Sequence, residues 1–119
     1  MNKYFDQFDD REDVARAFEA SGHILHTLPY PAPDDFPTDE EMVFAAYGGR
    51  SYEGSALVVF SRDGKLYEVN GSHCSCYGLE DQWSPEETSI GALCMRVLDP
   101  EEYSKEAVER FRELFPPIL

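Results

Sequence analysis

The sequence predicts an α+β protein in which a small antiparallel sheet, a hairpin plus one or two further strands, is packed by an N-terminal helix and two C-terminal helices. A central hairpin signal, amphipathic helical patterns on either side of it, and a length of 119 residues that suits one domain predict this class. Within the single domain 1–119, we expect the N-terminal helix in 1–22, a proline-rich linker in 27–37, a neutral sheet core in 42–79 and two acidic helices in 84–115.

The N-terminal segment "DDREDVARAFEASG" carries the signals of a helix. Asp9 or Asp10 is a suitable N-cap, and acidic residues in the first turn face the positive end of the helix. Val14 and Phe18 are four residues apart and form an apolar stripe, and Gly22 fits the position after the last turn. The four prolines of "TLPYPAPDDFP" then exclude a helix or a central strand, so we expect an extended linker there.

The next segment, "PTDEEMVFAAYGG", fits two structures. Thr38 with Glu41 three residues later matches a capping box, which favours a short helix, whereas "MVFAAY" by itself fits a strand equally well. We expect a helix or helical turn that begins at Thr38 and changes to extended chain before Gly48.

The centre of the chain has the clearest pattern. In "SALVVFSRDGKLYEV", two apolar runs are joined by Asp63 and Gly64, which is a strong hairpin signal. The unbroken apolar run 57–60 predicts a strand that is covered on both faces.

Two further helices are predicted after the sheet. Ser84 as N-cap, Pro85 at the first helical position and Glu87 at the third predict one helix. Its expected buried stripe consists of Ile90, Leu93, Cys94 and Val97. Asp99 and Pro100 repeat the start signal, and the apolar face of the last helix consists of Tyr103, Ala107, Val108, Phe111, Leu114 and Phe115.

The net charge of −14 is concentrated at the two ends of the chain. Residues 1–41 carry eleven acids and three bases, residues 42–79 three of each, and residues 80–119 ten acids and four bases. A surface of this charge repels nucleic acids and anionic membranes and attracts a basic groove. We therefore expect no direct binding of nucleic acid or membranes. The alternative interpretation is that the acidic residues serve only to keep a small protein soluble.

The stretch "GSHCSCYGLEDQW" is the main candidate for chemistry. In an extended strand Cys74 and Cys76 share one face, while His73 lies on the other, which favours cysteines buried as small hydrophobes. A zinc site of Cys74, Cys76 and Cys94 is an alternative, with His73, His23 or His26 as the fourth ligand. The single residue between Cys74 and Cys76 is fewer than zinc sites prefer. A nucleophilic thiol is a further alternative, which the surrounding negative charge disfavours.

No catalytic signature is readable elsewhere, so we expect a protein that is not an enzyme and needs no cofactor, with zinc as the alternative. The odd number of cysteines, the lack of an apolar leader in "MNKYFDQFDD" and the absence of a membrane-length apolar run predict a cytoplasmic protein. The oligomeric state is not predictable from these patterns.

The run from Ser51 to Thr88, "SYEGSALVVFSRDGKLYEVNGSHCSCYGLEDQWSPEET", resembles the central segment of short, largely uncharacterised proteins encoded by phages and prophages. The resemblance covers about a third of the chain and implies a protein that acts inside a bacterial host. Small acidic phage proteins often block host machinery, and defence complexes hold nucleic acid in basic channels. The resemblance therefore implies an inhibitor of a host defence complex, such as an anti-CRISPR protein that mimics nucleic acid.

The expected partner is thus a host protein or complex with a basic surface. Alternatives are a zinc- or thiol-dependent protein, and an interaction partner in phage development that binds through aromatic side chains. The residues expected to contact the partner are Asp9, Asp10, Asp13, Asp34, Asp35, Glu40, Glu41, Glu86, Glu87, Glu101, Glu102, Glu106, Glu109, Tyr47, Tyr52 and Trp83.

Overall fold

A computed structural model describes residues 2–18, 36–49, 53–74, 78–79 and 82–117 of the chain. The predicted α+β class is confirmed, because the described residues form one five-stranded sheet and three helices. In chain order the elements are β1 (Tyr4–Asp6), α1 (Arg11–Phe18), β2 (Met42–Gly49), β3 (Gly54–Arg62), β4 (Lys65–His73), β5 (Glu86–Thr88), α2 (Ile90–Cys94) and α3 (Lys105–Leu114).

The strands lie side by side in chain order, and the sheet is mixed. The pairs β2–β3, β3–β4 and β4–β5 are antiparallel, whereas β1 runs parallel to β2 with Tyr4 opposite Ala45. The predicted hairpin is confirmed: β3 and β4 are joined by Asp63 and Gly64, with φ angles of 53° and 78°. Two consecutive positive φ values are typical of the tight hairpin turn that Asp-Gly favours.

Strand β3 is buried on both faces, as its apolar run predicts. Leu57 and Val59 contact one hydrophobic core, and Val58 and Phe60 contact the other. A bulge in β2 between Met42 and Phe44 shifts the pairing with β3. Such an extra residue changes which side chains face each side of the sheet. Beyond the bulge, β2 alternates regularly between the two cores.

The two cores lie on opposite faces of the sheet. Helix α1 packs into the first core through Val14 and Phe18. Phe36, Leu79 and Trp83 belong to the same core. The second core holds α2 and α3. Its members are Phe5, Phe44, Ala46, Leu57, Val59, Leu93, Leu98, Tyr103, Ala107, Phe111 and Phe115.

Helix α1 confirms the predicted N-terminal helix over a shorter range than 1–22. The Asp10 carboxylate accepts a hydrogen bond from the Asp13 backbone N–H at 2.8 Å, which identifies Asp10 as the cap. The preceding residues form β1, a strand that was not predicted. Gly22 and most of the proline-rich segment lie outside the described residues.

The segment from Thr38 forms the expected helical turn, closed by its capping box, and does not continue as a helix. The Thr38 N–H donates to Glu41 Oε1 at 2.9 Å, and the Glu41 N–H donates to Thr38 Oγ1 at 3.2 Å. These bonds close one turn, after which Met42 enters β2 directly. Pairing with β3 satisfies the backbone of this apolar segment and overrides the helical start signal.

The next helix is present, but its predicted start at Ser84 is wrong. Glu86–Thr88 forms β5, which pairs with Leu66, Tyr67 and Glu68 of β4. Helix α2 begins only after Ser89, whose hydroxyl accepts from the Ala92 N–H at 3.1 Å.

The predicted buried stripe of this segment is correspondingly incomplete. Leu93 is buried and Cys94 is partly buried, whereas Ile90 and Val97 are 62% and 79% exposed.

The last helix has the predicted apolar face but begins later than Asp99. Residues around Asp99 form a turn in which the Asp99 carbonyl accepts from the N–H groups of Glu102 and Tyr103. Ser104 then caps α3 by accepting from the Ala107 N–H at 3.1 Å. None of the helices in the described part of the chain has the length and apolar character that a membrane crossing requires.

Substitution Trp83→Ala tests the first core. Trp83 is 6% exposed and its ring packs against Phe18, Phe36 and Phe60. We expect the free energy of unfolding, measured by urea denaturation, to fall by about 3–5 kcal/mol because a large cavity is created. The control Met95→Ala removes a side chain that is 76% exposed and should change stability by less than about 0.5 kcal/mol. Equal stability of both variants would contradict this packing.

Candidate functional site

One of the acidic residues at the start of α1, Asp13, forms a hydrogen bond and an ion pair within the protein. Asp13 accepts from the Asp9 backbone N–H at 2.9 Å and contacts Arg16 at 2.5 Å. The Asp9 hydrogen bond and then Arg16 lower the pKa of Asp13. Asp9 and Asp10 are exposed and their carboxylates form no ion pair among the described residues, while Asp34 and Asp35 lie outside that part of the chain.

Glu41 has a structural role that Glu40 lacks. Its carboxylate accepts two bonds of 3.0 Å from Arg62 in addition to the bond from the Thr38 N–H. The Arg62 hydrogen bonds, followed by the Thr38 bond, lower the pKa of Glu41 to about 2. Substitution of Glu41 would therefore disturb the turn before β2 as well as the surface charge. The neighbouring Glu40 is exposed and forms no ion pair within the described residues.

The remaining acidic residues lie on three elements. Glu86 and Glu87 are exposed on the edge strand β5, where charge discourages pairing with other strands. Glu87 lies 4.0 Å from Lys65.

The other four residues belong to the C-terminal part. Glu101 and Glu102 lie in the turn before α3, whereas Glu106 and Glu109 lie on α3, with Glu109 3.9 Å from Lys105.

The aromatic residues expected at a binding surface are mostly not exposed. Tyr47 is half-buried and packs against Phe8 and His73, with ring centroids 5.4 Å and 5.2 Å away. Trp83 belongs to the first core and presents almost no surface, and Tyr52 lies outside the described residues. Packing rather than partner contact therefore accounts for the position of Trp83.

The cysteine stretch is described only in part. Cys74 and Cys94 are partly buried and form no disulfide within the described residues, and Cys76, His23 and His26 lie outside them. No group of three metal-ligating side chains is present among the residues that the structure describes. His73 packs edge-on against Tyr47, and its buried Nδ1 has no hydrogen-bond partner among the described residues.

A polar cavity of about 300 Å³ lies between strands β3 and β4 and the segment 96–103. It brings together side chains that are far apart in sequence. Its polar walls are Ser55, Asn70, Arg96, Asp99, Glu102 and Tyr103. Leu57 and Leu98 add apolar surface. Cavities of this size are at the lower end of those that hold small ligands.

The turn 99–103 positions the two carboxylates of the polar cavity. Asp99 Oδ1 accepts from the Glu101 N–H at 2.9 Å, and Glu102 Oε1 accepts from the Ser55 hydroxyl at 2.9 Å. Each carboxylate has a second oxygen that takes no part in these bonds. The Ser55 contact also ties the turn to the end of β3.

The arginine of the cavity is neutralised by a buried glutamate. Arg96 forms an ion pair with Glu68 and donates to Asn70 Oδ1 at 2.8 Å. Burial by itself raises the pKa of Glu68, but hydrogen bonds from Thr88 and Asn70 and the charge of Arg96 lower it overall. Glu68 is therefore charged at neutral pH and pairs with Arg96, whereas Asp99 and Glu102 have no ion-pair partner among the described residues.

Asp6 extends this negative region and was not recognised from sequence. Its carboxylate accepts from the Ser104 backbone N–H, with both oxygens at 3.3 Å. The close approach requires glycine at position 48, since a Cβ there would collide with the Glu102 carbonyl oxygen and lie 3.2 Å from Asp6 Oδ2. The end of the sheet near the polar cavity thus has carboxylates from both ends of the chain.

The contributions of Ser55, Arg96 and Tyr103 to this site were also missed. Their sequence positions carry no local motif, and only Tyr103 had been noted, as part of a helical apolar face. In comparisons with known proteins, no protein-family model, no curated protein and no solved structure matches the chain.

Substitution Glu41→Gln tests the ion pair with Arg62 through pH. The folded-state pKa of Glu41 lies near 2, below the usual value of 4.5, so the folded state disfavours protonation. The resulting stability is present above about pH 4.5 and is lost as pH falls toward 2. We expect Glu41→Gln to lower stability at pH 7 by about 1 kcal/mol and to have little effect near pH 2.

Urea denaturation at both pH values provides the measurement. Glu40→Gln is the matched control, because Glu40 is exposed and forms no ion pair among the described residues. A loss of stability that is the same at pH 7 and pH 2 for Glu41→Gln would contradict the ion-pair assignment.

Proposed function

We propose that this chain is a non-enzymatic, phage-type binding protein whose acidic surface docks on a basic groove of a host defence complex and blocks it. The expected target class is a complex that holds nucleic acid, such as a CRISPR surveillance complex. The observation that carries the proposal is the exposure of carboxylates that no basic side chain neutralises among the residues the structure describes.

The basic side chains are largely occupied by internal ion pairs. Seven of them contact a carboxylate of the same chain within 4.0 Å. These are Arg11, Arg16, Arg62, Lys65, Arg96, Lys105 and Arg110. Little positive charge is therefore presented to a partner by the described surface.

Several acidic side chains, by contrast, form no ion pair among the described residues. Asp9, Asp10, Glu40, Glu86 and Glu106 are exposed and have no ion-pair partner among the described residues. They lie just before α1, in the turn before β2, on the edge strand β5 and on α3. With a net charge of −14, such a surface competes with nucleic acid for lysine and arginine side chains.

Binding to purified surveillance complexes tests the proposal directly. We expect the protein to compete with target DNA, and its affinity to fall steeply as salt is raised. Four substitutions, Asp9→Asn, Glu40→Gln, Glu86→Gln and Glu106→Gln, remove unpaired charge and spare Glu41. Together they should weaken binding at least about tenfold.

A charge-conserving variant is the matched control. The substitutions Asp9→Glu, Glu40→Asp, Glu86→Asp and Glu106→Asp alter the same positions and keep the net charge, so binding should stay close to wild type. Circular dichroism and urea denaturation verify that both variants fold. Unchanged affinity of the neutralised variant, or affinity independent of salt, would reject charge-driven docking. Failure to bind any nucleic-acid-holding defence complex would reject the target class.

A further inference from the structure

We propose that the polar cavity receives an arginine side chain of the basic partner, whose guanidinium group pairs with Asp99 and Glu102. This inference rests on the proposed function and identifies one specific contact between the protein and its partner. It is carried by the size of the cavity, by the charge of its walls and by the tyrosine side chain that lines it.

The charge of the cavity wall favours a cation. Glu68 neutralises Arg96 through their ion pair, so the two carboxylates of the 99–103 turn determine the net charge of the wall. Because Glu102 is held by Ser55 and Asp99 by the Glu101 N–H, both carboxylates are oriented before a partner arrives. Such preorganisation reduces the entropy lost on binding.

Tyr103 adds a hydrogen-bonding side chain to the cavity. The residue is only 7% exposed and lines the cavity, and its hydroxyl is not one of the fully buried polar atoms that lack a partner among the described residues. The hydroxyl is therefore accessible to a group that enters the cavity. Burial and the nearby carboxylates of Glu102 and Asp6 raise the pKa of Tyr103. The neutral hydroxyl can therefore accept a hydrogen bond from a donor that enters the cavity.

Guanidinium fits these walls better than an ammonium group does. It is planar, carries five N–H donors and is weakly hydrated, so it can bond to several acceptors while its face contacts apolar atoms. The cavity offers two carboxylates and one hydroxyl as acceptors, with Leu57 and Leu98 as apolar surface. The aliphatic part of an arginine side chain also packs well against such surface.

Titration of the isotope-labelled protein with Nα-acetyl-L-arginine amide, followed by NMR, tests the inference. We expect saturable shifts confined to the backbone amides of residues 55, 70 and 96–103, with a Kd in the millimolar range, roughly 1–10 mM. The lysine analogue should bind more weakly, and the neutral norleucine analogue should cause no saturable shift. Equal binding of the lysine analogue, or shifts scattered over all acidic surfaces, would overturn the assignment.

Two variants and a control identify the residues involved. Glu102→Gln and Tyr103→Phe should each weaken the arginine probe about tenfold, because each removes a hydrogen bond to a charged group. Asp63→Asn removes one charge at the tip of the hairpin, tolerates the positive φ there, and should leave probe binding unchanged. Amide spectra verify that each variant keeps its fold. Equal effects of Glu102→Gln and Asp63→Asn would show general charge attraction and reject the cavity site.

The same variants separate this inference from the proposed function. The inference is supported if Glu102→Gln no longer binds the arginine probe and also binds the partner complex about tenfold more weakly than Asp63→Asn does. Salt-dependent partner binding that Glu102→Gln and Tyr103→Phe leave intact would overturn the cavity inference and leave the proposed function standing. Arginine binding without affinity for any defence complex would reject the proposed function instead.

Discussion

The fold depends on the burial of one strand, β3, on both of its faces. Four consecutive apolar residues, 57–60, cannot be covered by helices on one side alone, since neighbouring side chains of a strand point in opposite directions. The chain therefore places α1 on one face and α2 and α3 on the other. Burial of apolar area at roughly 25 cal/mol per Å² makes this arrangement the main source of stability.

This constraint also determines where the charge of the molecule lies. Since the two cores occupy both faces of the sheet, acidic residues collect on the turns, the edge strand β5 and the outer sides of the helices. Glu68 is the exception, because it lies inside the sheet and is stabilised by Arg96, Asn70 and Thr88. The polar cavity is formed where this internal network reaches the 99–103 turn.

Local sequence patterns predict those elements whose conformation is determined by residues close together in the chain. Asp63 and Gly64 specify their own turn, and the spacing of Val14 and Phe18 specifies the buried side of α1. Strands β1 and β5 are three residues long and exist because β2 and β4 offer free edges, which no short sequence window reveals. Glu102 is recognisable in the sequence as an acidic candidate. Its neighbours in the cavity, Ser55 and Tyr103, are brought to it by packing between distant segments, which local patterns do not show.

The bond between Asp6 and Ser104 joins residues 98 positions apart and has a consequence for biosynthesis. The second core contains Phe5 from the first strand and Phe111 and Phe115 from α3 and its end, so it cannot close before α3 has left the ribosome. Until then Phe44 lacks the cover that the Phe111 ring provides. Contacts of such long range slow folding, and a nascent chain in this state presents apolar surface that chaperones bind.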